Sequence, residues 1–260
     1  MNVLIKTVGG GIFSKFMVGV QSLIDTNIDI KDIDSIYINV DYGRLDRNTQ
    51  PRVIENETKN PFDFVLDQEL LVPHVVIPAI PRQSYTDHDI LTTKMVEQFN
   101  RFRLICDKIK IKNSVLDRVN KNIDENTIGV HVRLTDMAAY HPEHHNQHTT
   151  QNYIDKIDSI LTSNNKLFIA SDNVESLNTL KKYYGDIVLT NEVGNRHHME
   201  GGGKDYGLYM AREMHTKSFW EDSFLDMISL SKCSTLIYKP SNLNNTSMGF
   251  SKTINKTYKI

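Results

Sequence analysis

The sequence predicts an α/β protein in which parallel strands alternate with helices, and three stretches carry that prediction. Near the start, residues 3–7 read as a short buried strand, Gly9 to Gly11 as a tight turn, and 13–24 as an amphipathic helix. Strand, glycine turn and helix in that order open a Rossmann-like unit. Near the middle, Ile128, Val130 and Val132 alternate with smaller or polar residues, the pattern of a strand, and a polar tip follows through Arg133, Thr135 and Asp136. Towards the end, an apolar helix over 224–231, a strand through Tyr238 and a polar turn at Ser241 and Asn242 repeat the theme.

Composition narrows the function classes. At 260 residues the chain can bury a large core, as one or two domains. Thirty basic residues against thirty-two acidic ones give a formal charge of −2, which argues against nucleic-acid binding by a global positive field. Only Cys106 and Cys233 are present, so no disulfide framework is indicated and a reducing compartment is the simpler reading. The first residues lack the pattern of a signal peptide, and no run approaches the roughly 18 apolar residues of a membrane span. The expectation is a free cytoplasmic enzyme or catalytic fragment with no membrane anchor. Nothing in the sequence specifies an oligomeric state.

The remaining elements follow in order. Residues 35–40 form a second strand ending in the polar run Asp41 to Arg44. Pro78 interrupts residues 72–81, which read as an extended connector. Between 87 and 110, Ile90, Leu91, Met95, Phe99, Phe102 and Ile105 mark the core face of a helix. A short helix starts at Val115, and the polar linker at 122–126 places a boundary that divides the chain into 1–122 and 123–260. Beyond it come a helix over 153–161, a buried strand from Lys166 ending in Asp172 and Asn173, a strand at 187–189, a polar stretch at 196–203 and a helix from Thr246.

In open α/β sheets, ligands bind beyond the carboxyl ends of the strands. A period of two places His131 and Arg133 on one face and Val130 and Val132 on the other. Arginine at such an edge suits a phosphate, because its planar fork makes paired charge-assisted hydrogen bonds and keeps its charge. An edge strand with a surface salt bridge would write much the same string. Asp172 also has two readings: ligand contact, or cap of a helix with the capping-box spacing Asp172-x-x-Glu175. His141, His144, His145 and His148 admit a metal site, but the surrounding run has no apolar residue to fix a geometry and no matching cysteine, so a solvated loop is expected.

Three of these stretches carry a family resemblance. His131-Val-Arg133-x-Thr135-Asp136 resembles the first donor-binding motif of the fucosyltransferase superfamily, whose usual pattern is His-x-Arg-Arg-x-Asp; here Leu134 stands at the second arginine. Lys166 to Asn173 resembles the second motif, and 224–242 the third, where Ser241 alone keeps the place of paired serines. Pro61 to Asp67 is similar to a short aromatic segment in the N-terminal half of some of these transferases. The resemblance implies a GT-B arrangement of two Rossmann-like domains facing a cleft, with 1–122 on the acceptor side and 123–260 on the donor side. The implied reaction is transfer of fucose from GDP-fucose to a glycan hydroxyl with inversion, using no metal and no cofactor beyond the donor.

Residue by residue, the resemblance makes Arg133 the group that stabilises the departing diphosphate. It places His131, Arg133, Asp172, Arg196, Ser241 and Asn242 on the donor, with Asp172 reading the guanine. His141 and Glu143 lie where relatives place a candidate general base. Leu134 and the lack of a clear base keep two alternatives open: a non-catalytic nucleotide-sugar or glycan-binding module, and a transferase using another nucleotide sugar.

Overall fold

A computed structural model of the chain describes residues 1–7, 12–40, 60–68, 73–78, 96–134, 149–192 and 217–260. By contacts these fall into two units. One takes the described residues up to 117, then 217–221 and Ser241–Phe250; the other takes 118–192, 222–240 and 251–260.

The first unit is built on three parallel strands, β1 (Asn2–Thr7), β2 (Ser35–Val40) and β3 (Val75–Ile77), in the order β2-β1-β3. Val3, Ile5 and Thr7 are buried while their neighbours are half-exposed, which is the period of two that holds the register of Val3 with Ile36 and Val75. Helix α1 (Ile12–Ile24) buries Phe16, Val20 and Leu23, spaced at one helical face. Helix α2 (Val96–Lys108) buries Phe102, Ile105 and Cys106. β3 lies inside the stretch expected to be a plain connector. Three residues are too few to show a period, and the strand stops where Pro78 could no longer donate to a ladder.

Lys15 is the anomaly of this unit. It lies in α1 at 3 % exposure, and burial pulls its ammonium down to about 8 from the ordinary lysine value. Its carbonyl accepts the Thr7 hydroxyl, which ties the first part of α1 to the end of β1.

The second unit carries β4 (Thr127–Val132), β5 (Lys166–Ser171), β6 (Val188–Leu189), β7 (Thr235–Tyr238) and β8 (Lys256–Lys259), all parallel, in the order β6-β5-β4-β7-β8. Counted within the unit, that is third, second, first, fourth, fifth. This is the doubly wound order, with its reversal between β4 and β7. Ile128, Val130 and Val132 pack with Leu167, Ile169 and Ile237 against Tyr153, Ile154 and Ile157 of α3 (Thr150–Asp158) and Leu177 and Leu180 of α4 (Val174–Tyr184). On the other face, Gly129 lets the chain approach closely: a Cβ there would stand 3.1 Å from Cys233 Sγ and Leu230. All six residues of β4 are therefore buried, as expected of a parallel strand covered on both sides.

Two helices in the last quarter differ from their expected spans. Helix α5 (Lys217–Ser231) starts seven residues before Phe224, and its first residues count with the first unit, where Trp220 meets Phe62 edge-on at 5.1 Å between ring centres. Helix α6 (Asn242–Phe250) starts at Asn242 rather than Thr246 and also counts with the first unit. It buries Asn244, Asn245, Thr246 and Ser247, a polar face with no apolar period to read. One boundary was expected at 122. The contacts place the first crossing between 117 and 118, with later crossings between 192 and 217 and at 221/222, 240/241 and 250/251.

Gly249 shows how tightly α6 is held. A Cβ at that position would stand 2.2 Å from Cε1 of Phe102, a ring that is itself 2 % exposed. Alanine favours a helix over glycine by about 1 kcal/mol, whereas forcing a methyl into a filled core costs about 1–3 kcal/mol. The clash should win. Gly249→Ala is expected to lower unfolding free energy by about 1–2 kcal/mol in urea titration, and Phe102→Leu in the same chain should return part of that loss. An alanine variant as stable as the parent would show that the helix and ring do not approach this closely.

Candidate functional site

β4 ends at Val132, so the strand alternation stops one residue before Arg133. His131 is still a strand residue, 5 % exposed, in register with Ala170 on β5 and Tyr238 on β7. Arg133 and Leu134 form the corner beyond it. The Arg133 N–H makes a long contact of 3.5 Å to the Tyr153 hydroxyl of α3, and the Leu134 N–H donates to Asp172 Oδ1 at 3.3 Å. These contacts fasten the tip of β4 to a helix on one side and to the tip of β5 on the other. The Leu134 side chain packs partly buried on the apolar cluster beneath.

Asp172 is not the cap of α4. That place belongs to Asn173, whose side chain accepts the Ser176 N–H at 2.8 Å, while Ser171 Oγ accepts the Asn173 N–H at 3.0 Å. Two capping residues side by side explain the shift by one, since sequence spacing cannot rank them. Asn173→Ala is accordingly expected to cost about 1 kcal/mol in chemical denaturation. Asp172→Asn should cost little, because its Oδ1 still accepts from Leu134. A larger loss at 172 than at 173 would reverse the assignment.

Electrostatics gather the same groups. Burial pushes the Tyr153 phenol up to about 12; the Asp172 charge adds to that rise, and Arg133 opposes it. Lys239, the first residue after β7, has its ammonium pulled below the usual lysine range by burial and further by the Arg133 charge. Arg133, Asp172, Tyr153 and Lys239 thus share the carboxyl end of the second unit's sheet, and Arg133 and Lys239 flank the reversal of strand order. A pair of cations beside a carboxylate can hold an anionic group and discriminate what is attached to it.

Ser241 and Asn242 follow Lys239 in the chain but count with the first unit. Ser241, 4 % exposed, caps α6: its Oγ accepts the Asn244 N–H at 3.3 Å. The Asn242 carbonyl accepts the Thr246 hydroxyl at 2.7 Å. Of the residues singled out in the sequence, His131, Arg133 and Asp172 meet at one sheet edge. His141, Glu143 and Arg196, with Thr135, Asp136 and the histidine-rich run, lie outside the described residues. Tyr153 and Lys239 are additions. The rule that singles out Arg133, a cation just past a strand, applies equally to Lys239. Among the described residues no group of three His, Cys, Asp or Glu side chains could hold a metal ion, and no helix is long and apolar enough to cross a membrane.

No family model and no curated protein matches the chain. Solved structures do match. The fucosyltransferase NodZ from Bradyrhizobium is 14 % identical, with a TM-score of 0.51 over 100 % of this chain and 95 % of that one. A NodZ α-1,6-fucosyltransferase co-crystallised with GDP is 15 % identical, again with a TM-score of 0.51, over 100 % of this chain and 94 % of the other. With its two parallel Rossmann-like sheets, the chain has the GT-B-like fold of the fucosyltransferase NodZ.

Proposed function

We propose that this chain is a fucosyltransferase that moves fucose from GDP-fucose to a glycan hydroxyl, with inversion and without a metal. The observation that carries the proposal is Arg133, seated in a fucosyltransferase-like motif where the sheet order reverses. The fold shared with a transferase co-crystallised with GDP supports it. In this reading the bond from the sugar to the diphosphate breaks as the acceptor oxygen attacks, and Arg133 meets the charge that develops on the leaving GDP. Asp172 accepts the two N–H donors along one edge of guanine. His131 lies at the same edge. The N–H groups at the start of α6, with Ser241 and Asn242, favour the phosphates, and Arg196 adds a further contact. His141 or Glu143 takes the acceptor's proton. The N-terminal part of the chain holds the acceptor and the C-terminal part the donor.

The test is a thermal-shift series with GDP, ADP and UDP, with and without EDTA, followed by turnover of labelled GDP-fucose against a glycan panel. Selective stabilisation by GDP is expected, about 2.7 kcal/mol at a hundredfold excess over Kd, and EDTA should change neither binding nor rate. Leu134, packed on the core where relatives carry an arginine, favours the second reading, a nucleotide-sugar-binding module. Binding of GDP with no transfer to any acceptor would establish that module. Preference for UDP or ADP would point to another nucleotide sugar, and no response to any nucleotide sinks the proposal.

A further inference from the structure

We infer that Lys239 is the second cation of the diphosphate site, standing beside Arg133 in the role that Leu134 cannot fill. This rests on the donor-binding reading above and assigns a residue that the motifs do not. The first observation is topological. Tyr238 ends β7 in register with His131 of β4, so Lys239 leaves the sheet one residue later and Arg133 two residues later. Neighbouring strands lie about 4.8 Å apart, so the two tips leave the sheet side by side. They do so where the strand order reverses, the point at which such sheets bind ligands.

The second observation is that the two charges sense each other: Arg133 makes the Lys239 ammonium easier to deprotonate, in addition to burial. Two cations at one sheet edge both favour an anionic group bound there. The third is Leu134, whose apolar side chain rests on the core, so the position after Arg133 supplies no charge. Among the described residues, the other groups at this edge are Tyr153 from α3, Asp172 from the tip of β5 and His131 within β4.

A lysine in this place differs from an arginine in one measurable respect: it titrates. A bound diphosphate favours the protonated amine, so affinity should fall as pH rises through the free-state value of Lys239, earlier than for an ordinary lysine. Calorimetry of the full chain with GDP, and with inorganic pyrophosphate as a guanine-free probe, across pH 7 to 10 reads this directly. Lys239→Met is expected to weaken GDP and pyrophosphate about tenfold or more at pH 7 and to flatten the alkaline decline. Lys239→Arg should keep affinity near the parent's and hold it to higher pH. Unchanged affinity in Lys239→Met, while Arg133→Ala loses it, overturns the inference and leaves the donor site standing. A parent chain that binds neither GDP nor pyrophosphate overturns both. Weakening by methionine and arginine alike, with a lowered melting temperature, would assign Lys239 a packing role only and reject the inference.

Discussion

Under the proposed fucosyl transfer, replacing Arg133 by alanine is expected to lower the rate by about 10²–10³-fold while the melting temperature barely moves. The guanidinium would act where negative charge grows on the leaving diphosphate, so its loss falls mainly on kcat at saturating donor. Losing one charge-assisted contact to the ground-state donor costs a further 1.5–3 kcal/mol or so in binding. Stability should survive because Arg133 lies past the end of β4, and two backbone contacts hold this corner: the Arg133 N–H toward Tyr153 and the Leu134 N–H on Asp172. Alanine keeps both. Steady-state kinetics beside a thermal melt would check the pair of expectations. Near-normal turnover removes Arg133 from the chemistry, and a collapsed melting temperature makes it a structural residue.

Lys15→Met is expected to remove an alkaline rise in stability. The lysine amine is buried in α1, and its pKa falls from 10.5 to about 8. A tenfold change in proton affinity corresponds to about 1.4 kcal/mol, so keeping the amine protonated costs the fold about 3 kcal/mol. Below pH 8 both folded and unfolded chains carry the proton, and that cost is fully present. Between about 8 and 10.5 the folded chain releases the proton while the unfolded chain keeps it, so stability climbs with pH. Methionine fills similar volume without the charge. In urea titrations the parent should gain stability between pH 7 and pH 10, and the variant should not. Parallel pH profiles would show that the amine is not held as buried charge.

Legibility in the sequence follows from what each element buries. β1, β2, β5 and β7 are readable because each is an apolar run ended by polar or glycine residues; the starts of the first three agree within a residue, while β7 ends at Tyr238 as expected but starts at Thr235, after the polar Lys232 to Ser234. β8 is not readable, because an edge strand written Lys-Thr-Tyr-Lys buries little and carries the charges that edges favour. α6 is misplaced for the opposite reason: it is buried, but through asparagine, threonine and serine. At the site, the edge position of Arg133 follows from strand alternation and the rule for open sheets. The partners of that corner, Tyr153 and Asp172, depend on how a helix and a neighbouring strand are placed, which no local pattern encodes. Lys239 needs the sheet order as well, since only the pairing of β4 with β7 makes residues a hundred positions apart neighbours.

The return of α6 to the first unit has a consequence for the order in which the molecule is made. Chains commonly fold from the N-terminus as they leave the ribosome. Here Phe16 of α1 meets Phe250 with 5.8 Å between ring centres, and Phe102 of α2 faces Gly249. Those partners lie far later in the sequence. The N-terminal unit therefore stays uncovered on this side until α6 has emerged, and a fragment ending at residue 122 would present this apolar surface to solvent or to a chaperone.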